Sequence, residues 1–258
     1  MKGRTVAALN AVILAAGKGK RMKSDLAKVL HPVLGLPMVV YVIRAVRQAG
    51  CERIVVVIGH QRDRVRTALA DQGVEFVVQD EQLGTAHALT QAEETFSGEH
   101  GDLLVLAGDT PLLTGRTLQR MVDRHRRTGA AATVLTAVLE DPAGYGRIIR
   151  TPEGLLDAIV EDRDAAGPQK EICEINTGAY CFEAPLVFEV LQEIGTGNTQ
   201  KEFYLTDAIA LLRSRGMIVG AMVAENWREM LGINSAAQLA EAEMIMSRQI
   251  QSEDEKKG

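Results

Sequence analysis

The stretch that decides the fold is VAALNAVILAAGKGKRMKSDLAKVLH, residues 6–31. Residues 6–14 are apolar at consecutive positions apart from Asn10, which is the pattern of a strand buried on both faces of a parallel sheet. Gly17 and Gly19 follow this strand, and glycines allow backbone N–H groups to approach an anion closely. The stretch therefore predicts a first strand that ends in an anion-binding loop.

The loop after this strand is strongly basic. Between residues 18 and 28 it carries one acid, Asp25, and the cations Lys18, Lys20, Arg21, Lys23 and Lys28. Such a local excess of positive charge on a chain of net charge −5 suits a triphosphate, although a solvated basic loop has the same composition. The loop is not a dinucleotide fingerprint, because Met22 stands where the third glycine is needed, and it is not a Walker A loop.

Apolar runs and helical periods alternate along the chain up to about residue 140. Further strands are predicted at 54–58, 74–78 and 103–107, with helices around 39–46 and 118–125. Beyond residue 140, shorter strands are predicted at 147–150, 155–161 and 175–182, and helices at 185–194, after Thr206 as N-cap, and at 235–250, before a charged frayed tail at 251–258. The pattern predicts an α/β, Rossmann-like, mostly parallel doubly wound sheet with a smaller β-rich lobe.

The composition excludes several classes of protein. A net charge of −5 and only 4% aromatic residues argue against a protein that coats nucleic acid. The N-terminal apolar run is too short to span a membrane and is interrupted by Asn10, so we expect no membrane association. Three cysteines, Cys51, Cys173 and Cys181, indicate reduced thiols and a cytoplasmic location rather than a disulfide framework. No zinc-type spacing connects the histidines, which are His31, His60, His87, His100 and His125.

Eight sequence blocks, in order, resemble the sugar-phosphate nucleotidyltransferases. The first is the basic loop, and the others are VQDEQLGTAHA (78–88), GDTPL (108–112), GYGRI (144–148), IVE (159–161), EINTG (174–178), EFYLTD (202–207) and GIN (232–234). Together they are most similar to the uridylyltransferase domain of bacterial N-acetylglucosamine-1-phosphate uridylyltransferases, which is usually fused to an acetyltransferase. The resemblance extends from about Ala11 to the helix after Asn234.

This resemblance implies a role for each matching residue. Arg21 would neutralise the β and γ phosphates of UTP, Lys28 would hold the reacting phosphates, and Asp109 with Asn234 would hold Mg²⁺. The residues implied to bind the nucleotide are Leu14, Ala15, Ala16, Gly17, Gln79, Gly84, Thr85 and Gly108. Those implied to contact the amino sugar are Gly146, Glu161, Asn176, Tyr204 and Thr206.

The reaction implied by the resemblance is uridylyl transfer from UTP to N-acetylglucosamine 1-phosphate, by in-line attack of the sugar phosphate on the α phosphate. It also implies a nucleotidyltransferase domain over residues 1–234, with a nucleotide half at about 6–140 and a sugar-binding lobe at about 141–234. Residues 235–258 would then form the C-terminal helix and tail.

Other interpretations remain open for single residues and for the whole chain. Asp109 and Asn234 are also suited to capping a turn or a helix, and Glu161 to a solvated acidic surface. The rival functions are a pyrophosphorylase for another sugar 1-phosphate or nucleotide, and a regulatory subunit that binds nucleotide without turnover. The second rival predicts the loss of Arg21, Lys28 or Asp109, all of which are present.

Three features depart from the pattern of these enzymes. Ala27 precedes the lysine where a proline is usual, and Ala86 stands where a glycine is usual. The hexapeptide repeats of the acetyltransferase β-helix are absent from this sequence, so we expect no acetyl transfer by this chain. Because trimerisation of the bifunctional enzymes is attributed to that β-helix, we expect a monomer or a weak dimer.

Overall fold

A computed structural model describes residues 7–22 and 24–255 of the chain. Some parts of the sequence predictions lie outside this description: Val6, Lys23, residues 256–258, and the side chains of Lys20 and of residues 252–255. The strands are β1 (Ala8–Ala15), β2 (Pro32–Val33), β3 (Leu36–Pro37), β4 (Arg53–Ile58), β5 (Glu75–Val78), β6 (Gly101–Ala107), β7 (Ala132–Val138), β8 (Arg147–Arg150), β9 (Leu156–Val160), β10 (Glu174–Glu183) and β11 (Val219–Val223). The helices are α1 (Met38–Gln48), α2 (Arg62–Ala68), α3 (Thr85–Thr90), α4 (Gly115–Thr128), α5 (Ala184–Leu191), α6 (Asp207–Ser214) and α7 (Ala236–Glu255).

The main sheet has the strand order β11-β7-β10-β6-β1-β4-β5. In its centre β1 pairs in parallel with both β4 and β6, and β4 pairs in parallel with β5. These are the apolar runs of the first half of the sequence, so the predicted α/β class and mostly parallel sheet are confirmed. Because β5, β4, β1 and β6 are parallel, their carboxyl ends lie along one edge of the sheet, where the loops that follow them meet.

Strand β10 runs in the opposite direction between β6 and β7. Tyr180 lies opposite Val105 and Glu183 opposite Asp102, so the residues that precede Tyr180 lie beside the carboxyl end of β6. A register shift between Asn176 and Ala179, with Gly178 at φ 78°, offsets this part of the strand. The second half of the chain therefore contributes residues to the same edge as the first-half loops.

Side chains alternate between two buried layers on the two faces of this sheet. Ile13, Val56 and Leu104 belong to the layer that is covered by α1 and α4. Val12 and Val57 belong to the opposite layer, which also contains buried residues of α3, α5 and α6. An apolar layer on both faces explains why the central strands are continuous apolar runs without polar alternation.

The last helix packs on the rest of the chain through a smaller apolar cluster. Ala242 is buried there against Val33, Met38, Leu112 and Ile233, and partly buried residues of α7 surround it. The helix was predicted to end at residue 250 with a frayed tail, but it continues to Glu255. Residues 251–255 contain no glycine or proline that would stop it. Among the described residues even this 20-residue helix lacks the apolar length that a membrane crossing needs.

Thr206 occupies the predicted N-cap position before α6, but its side chain does not cap the helix. Thr206 has helical backbone angles (φ −60°, ψ −27°), and its side chain makes no capping hydrogen bond. Its hydroxyl instead donates to Oε1 of Glu161 at 3.1 Å. The residue predicted to cap the helix is therefore turned towards the candidate site.

Candidate active site

Two adjoining cavities lie beyond the carboxyl edge of the sheet, with volumes of about 580 and 760 Å³. The residues that line both of them are Leu14, Gly17, Gly19, Glu161, Arg163 and Gln200. We call the smaller cavity, which contains Arg21, Lys28, Asp109 and Asn234, the phosphate end. We call the larger one, which contains Gln79, Gly84 and Thr85, the base end.

The basic loop wraps closely around Lys28. Gly19 has a φ of 59°, and a Cβ built on it would lie 2.5 Å from Cβ of Lys28. A side chain at this position would therefore be strained and would displace the lysine. Gly19 is required by the course of the loop, whereas Gly17 has open space around it.

Ala27 is held in this loop by a hydrogen bond that proline could not make. Its backbone N–H donates to Oε1 of Gln61 at 2.9 Å, and Nε2 of Gln61 donates to the carbonyl of Asp25. Ala27 is only 1% exposed, so an unpaired N–H would be costly there. The chain thus fixes the segment before Lys28 with a side-chain clamp rather than with the restricted φ of a proline.

At the phosphate end two cations and two oxygen ligands converge. The ammonium of Lys28 donates to Oδ2 of Asp109 and, at 2.6 Å, to Oδ1 of Asn234. The guanidinium of Arg21 donates to the same Oδ1 of Asn234 at 2.7 Å. Asn234 lies more than 200 residues from both cations in the sequence, so only the fold brings this group together.

These contacts bear on the predicted metal site. Oxygen atoms of Asp109 and Asn234 both contact one ammonium, which shows that they converge on a position that a cation can occupy. Mg²⁺ in phosphoryl-transfer sites is typically held by one or two protein oxygens together with substrate phosphates and water. The pair fits such an ion, and within residues 7–22 and 24–255 there is no cluster of three or more His, Cys, Asp or Glu residues that would hold a metal without the substrate.

The base end is built from amide and backbone groups. Gln79 is 3% exposed, and its Nε2 donates to the carbonyl of Gly84 at 3.1 Å. Gly84 has a φ of 124°, and a Cβ on it would lie 2.4 Å from the carbonyl oxygen of Phe203. Thr85 accepts a hydrogen bond from the backbone N–H of Leu205 at 3.0 Å. The turn after β5 is therefore packed tightly against the segment before α6.

The predicted sugar residues surround Glu161. Oε1 of this side chain accepts the hydroxyl hydrogen of Thr206, and burial raises the pKa of the Glu161 carboxyl, an effect that nearby carboxylates increase. The backbone N–H of Asn176 donates to the carbonyl of Gly146 at 2.8 Å, and its Nδ2 donates to Oη of Tyr180 at 2.7 Å. Glu161, Asn176 and Thr206 all line the base end, beside the phosphate end.

The remaining predicted residues occupy different positions. Leu14 and Gly17 line both cavities, Ala15 lines the phosphate end and Ala16 the base end. The backbone N–H of Gly108 donates to the carbonyl of Leu14 at 3.0 Å, so Gly108 closes the wall between β1 and β6. Tyr204 does not line these two cavities in the described structure; it lies at a separate cavity of about 340 Å³ that also touches Glu161.

Three residues that the sequence motifs did not single out reach this region. Arg163 lines both cavities, although in the sequence it is part of an acidic stretch, residues 161–164. Gln200 also lines both cavities. His87 contacts Gln79, with 3.0 Å between His87 Nδ1 and Gln79 Nε2, although the histidines showed no functional spacing. The sequence feature that could have indicated a role for His87 is its place within the QLGTAHA block.

Comparisons with known proteins identify the family to which this chain belongs. Residues 11–173 match the family described as MobA-like NTP transferase domain. Bifunctional protein GlmU from Syntrophotalea carbinolica is 51% identical over 242 residues, and GlmU from Halalkalibacterium halodurans is 48% identical over 240 residues. The matched regions cover 94% and 93% of this chain and 52% of each relative. The chain therefore spans about half the length of the curated relatives it matches.

Solved structures show the same fold at much lower identity. A chain from Bacillus anthracis assigned as a glucose-1-phosphate thymidylyltransferase, in complex with sucrose, has a TM-score of 0.73 and 22% identity, covering 92% of this chain and 95% of that one. A UDP-glucose pyrophosphorylase in complex with UDP-glucose also has a TM-score of 0.73, with 19% identity and coverage of 95% and 100%. At these identities the likeness concerns the fold alone.

Proposed function

The chain belongs to the family of MobA-like NTP transferase domains, and we propose that it transfers a uridylyl group from UTP to N-acetylglucosamine 1-phosphate. The products would be UDP-N-acetylglucosamine and pyrophosphate. The observation that carries the proposal is the convergence of Arg21, Lys28, Asp109 and Asn234 at one end of a cavity that continues to Gln79 and Glu161. Identity of about half to proteins named GlmU supports the choice of substrates.

The proposed mechanism needs no catalytic base. The attacking atom is an oxygen of the sugar 1-phosphate, which is already anionic at neutral pH. It forms a bond to the α phosphorus of UTP as the bond from that phosphorus to the bridging oxygen breaks, and this oxygen leaves with the β and γ phosphates as pyrophosphate. Catalysis then consists of positioning and of stabilising negative charge.

The residues of the phosphate end divide this task. Lys28 would donate to the oxygens of the reacting phosphates, where charge increases in the transition state. Arg21, which is exposed at the mouth, would pair with the leaving pyrophosphate. Asp109 and Asn234 would hold Mg²⁺, which supplies Lewis acidity and charge neutralisation towards phosphate oxygens when it is bound. Lys28 must then exchange its contacts with both oxygens for contacts with phosphate.

The other end of the cavity would hold the two substrates in line. Gln79, Gly84 and Thr85 would bind the base, with the backbone of residues 14–17 and Gly108 along the nucleotide. Glu161, Asn176, Thr206 and Gly146 would surround the amino sugar, whereas Tyr204, which the sequence predicted to join them, lies at the neighbouring cavity on Glu161. We propose that the chain divides accordingly into a nucleotide half at about 6–140 and a sugar-binding lobe at about 141–234, followed by a C-terminal segment at 235–258.

The experiment that tests this function is a panel assay. The chain is incubated with Mg²⁺, each common nucleoside triphosphate and several sugar 1-phosphates, and pyrophosphate release is measured. We expect the pair of UTP and N-acetylglucosamine 1-phosphate to have the largest kcat/KM. Preference for another sugar phosphate or nucleotide would reassign the specificity, and release of no pyrophosphate from any pair would refute the enzyme.

We also propose that this chain is a monomer or a weak dimer in the cytoplasm. Ala242 is buried against the chain's own apolar cluster, and Leu239 and Met246 of the same helix are partly buried there. Met244 and Ile250 are about half exposed, at 56% and 50%, and they are too few for a strong interface. Light scattering across a concentration series is expected to show mainly monomer, and a trimer independent of concentration would refute this.

The proposed cytoplasmic location is supported by the free thiols of Cys51, Cys173 and Cys181, which suit a reducing compartment.

A further inference from the structure

His87 lies behind the base end and contacts the side chain that would meet the base. It belongs to α3, and its Nδ1 is 3.0 Å from Nε2 of Gln79. Its other ring nitrogen, Nε2, is 3.3 Å from Nε2 of Gln91. The ring is tilted at 33° to that of Phe203, with 6.3 Å between the ring centroids. The imidazole therefore lies between two amide side chains.

The orientation of the Gln79 amide follows from its neighbours. An amide nitrogen and oxygen have nearly the same shape, so hydrogen-bond chemistry must distinguish them. The amide atom that lies 3.1 Å from the carbonyl of Gly84 must be the nitrogen, because that carbonyl can only accept. The second hydrogen of this nitrogen is directed to Nδ1 of His87. Both hydrogens of Nε2 are then used, and Oε1 is the atom left for a ligand.

This arrangement also fixes the hydrogen on the imidazole. For Nδ1 to accept from Gln79 it must carry a lone pair, so the neutral ring has its hydrogen on Nε2. In this tautomer Nε2 of His87 and the Gln91 amide nitrogen are both donors, so the 3.3 Å contact between them is not a hydrogen bond, and the Gln91 nitrogen donates to the carbonyl of His87 at 3.1 Å instead. His87 thus acts on Gln79 as a hydrogen-bond acceptor.

From this geometry we infer that His87 is a specificity-determining positioning residue, which acts through Gln79 to select a pyrimidine that carries a hydrogen on N3. With its nitrogen held by Gly84 and His87, Gln79 offers an acceptor oxygen to the base. Uracil and thymine donate from N3–H, whereas N3 of cytosine has a lone pair and would face Oε1 without a hydrogen between them. The inference rests on the proposed function in that it places the base of the nucleotide beside Gln79.

The strength of the selection depends on how firmly the amide is held. Gln79 is almost completely buried, so an amide that turned over would leave its hydrogens or the Gly84 carbonyl unpaired. Without the acceptor on His87, only the Gly84 carbonyl opposes that turn. The loss of one hydrogen bond of this kind should change the equilibrium between the two orientations of the Gln79 amide by roughly 10-fold or less.

The test compares two amide substitutions of similar polarity. In His87→Asn the amide oxygen can take the place of Nδ1, whereas in His87→Gln it reaches the place of Nε2 instead. The ratio of kcat/KM for UTP to that for CTP is measured with the same sugar phosphate. We expect His87→Gln to lower this ratio about 10-fold, through a higher KM for UTP, and His87→Asn to keep it within about 2-fold. Gln91→Leu, which removes the Gln91 amide but leaves the contact between His87 and Gln79, is the matched control and should leave the ratio unchanged.

Two results would overturn the inference. One is an unchanged ratio in His87→Gln, and the other is an equal loss in His87→Asn, which would indicate packing rather than the acceptor. Thermal melts establish that each variant is folded, and His87→Leu removes the acceptor in a second way if His87→Gln is not. Binding of UDP and CDP, measured by calorimetry without turnover, gives the same ratio independently. If the panel assay shows no turnover, the proposed function fails while this binding ratio still decides the role of His87.

Discussion

The phosphate end and the base end of the cavity are built from different kinds of polar contact. At the phosphate end the polar contacts are ionic or charge-assisted, between Lys28, Arg21, Asp109 and Asn234. At the base end the contacts of the Gln79 amide are between neutral groups, namely with the carbonyl of Gly84 and the imidazole of His87. Charge attracts a phosphate from many directions, whereas an amide must be turned the right way to recognise a base.

The difference separates catalysis from selection. A charged group stabilises any phosphate that gains negative charge, so changes at the phosphate end should lower turnover with every nucleotide. A neutral hydrogen-bonding group distinguishes one base from another, so changes at the base end should alter the ratio between nucleotides. The variants below test this separation.

The largest effect is expected for Lys28→Ala. Because Lys28 is assigned to charge that develops in the transition state, its loss should lower kcat by about 10²–10³-fold, with a much smaller change in KM for UTP. Steady-state pyrophosphate release measures both constants, and Lys170→Ala, which removes an exposed lysine that lines neither cavity, is the control. Near-normal turnover in Lys28→Ala would mean that the basic loop is only a solvated loop.

A smaller but still large effect is expected for Asp109→Asn. The substitution keeps the shape but removes the charge on which an all-oxygen Mg²⁺ site depends. Changes in the outer shell of metal sites cost about 10–100-fold, and the loss of a direct ligand should reach at least the upper end of this range at limiting Mg²⁺. Part of the activity should return at high Mg²⁺.

Thermal unfolding without ligand separates this role from a structural one. The side chain of Asp109 is 19% exposed and pairs with Lys28, but Lys28 also donates to Asn234, and an asparagine at position 109 would still offer this ammonium an amide oxygen. The melting temperature of Asp109→Asn should therefore fall by only a few degrees. A large fall together with an unchanged Mg²⁺ dependence would identify Asp109 as a cap of the turn after β6.

The two ends also differ in how far the sequence predicted them. The central strands, α1 and α4 follow from apolar runs and helical spacing, and the basic loop was evident from its charge. The position of Asn234 beside Lys28 followed only from the family resemblance, because no local pattern joins residues more than 200 positions apart. The roles of His87 and Gln61 were not predicted, because they depend on which way an amide is turned, which neither composition nor spacing encodes.

Glu161→Gln is expected to affect sugar binding more than turnover. Burial raises the pKa of this carboxyl, and the carboxylates of Asp207, Asp164 and Asp162 raise it further, although the Thr206 hydroxyl opposes the shift. Loss of a charged hydrogen-bonding group should raise KM for the sugar phosphate about 10-fold while kcat changes less. An equal fall in kcat would instead place Glu161 among the groups that act on the reacting phosphates.

The same substitution has a predictable effect on stability. Because the folded-state pKa of Glu161 is raised, the folded protein binds this proton more tightly than the unfolded chain does. The Glu161 carboxyl therefore lowers the stability of the wild type as the pH rises from the ordinary carboxyl pKa through the raised one. Glu161→Gln should melt at a higher temperature than the wild type at neutral pH, and the difference should disappear in acid. A lower melting temperature at neutral pH would contradict the buried environment of this carboxyl.

The smallest effect is expected for Gln61→Leu. In the wild type the neutral amide of Gln61 supports the loop that carries Lys28 at the phosphate end. Gln61 holds the N–H of Ala27, immediately before Lys28, at 2.9 Å. The loss of this bond should lower kcat only a few-fold, equally for UTP and CTP, because one neutral hydrogen bond contributes about 1 kcal/mol.

Ala27→Pro removes the donor but fixes φ near −65°, close to the −53° that Ala27 has here, so it should restrain the loop without Gln61. In that background Gln61→Leu should have less effect on kcat than in the wild type, as a double-mutant cycle measures. Additive effects would show that Gln61 acts elsewhere, and a changed ratio of UTP to CTP would break the separation between the two ends.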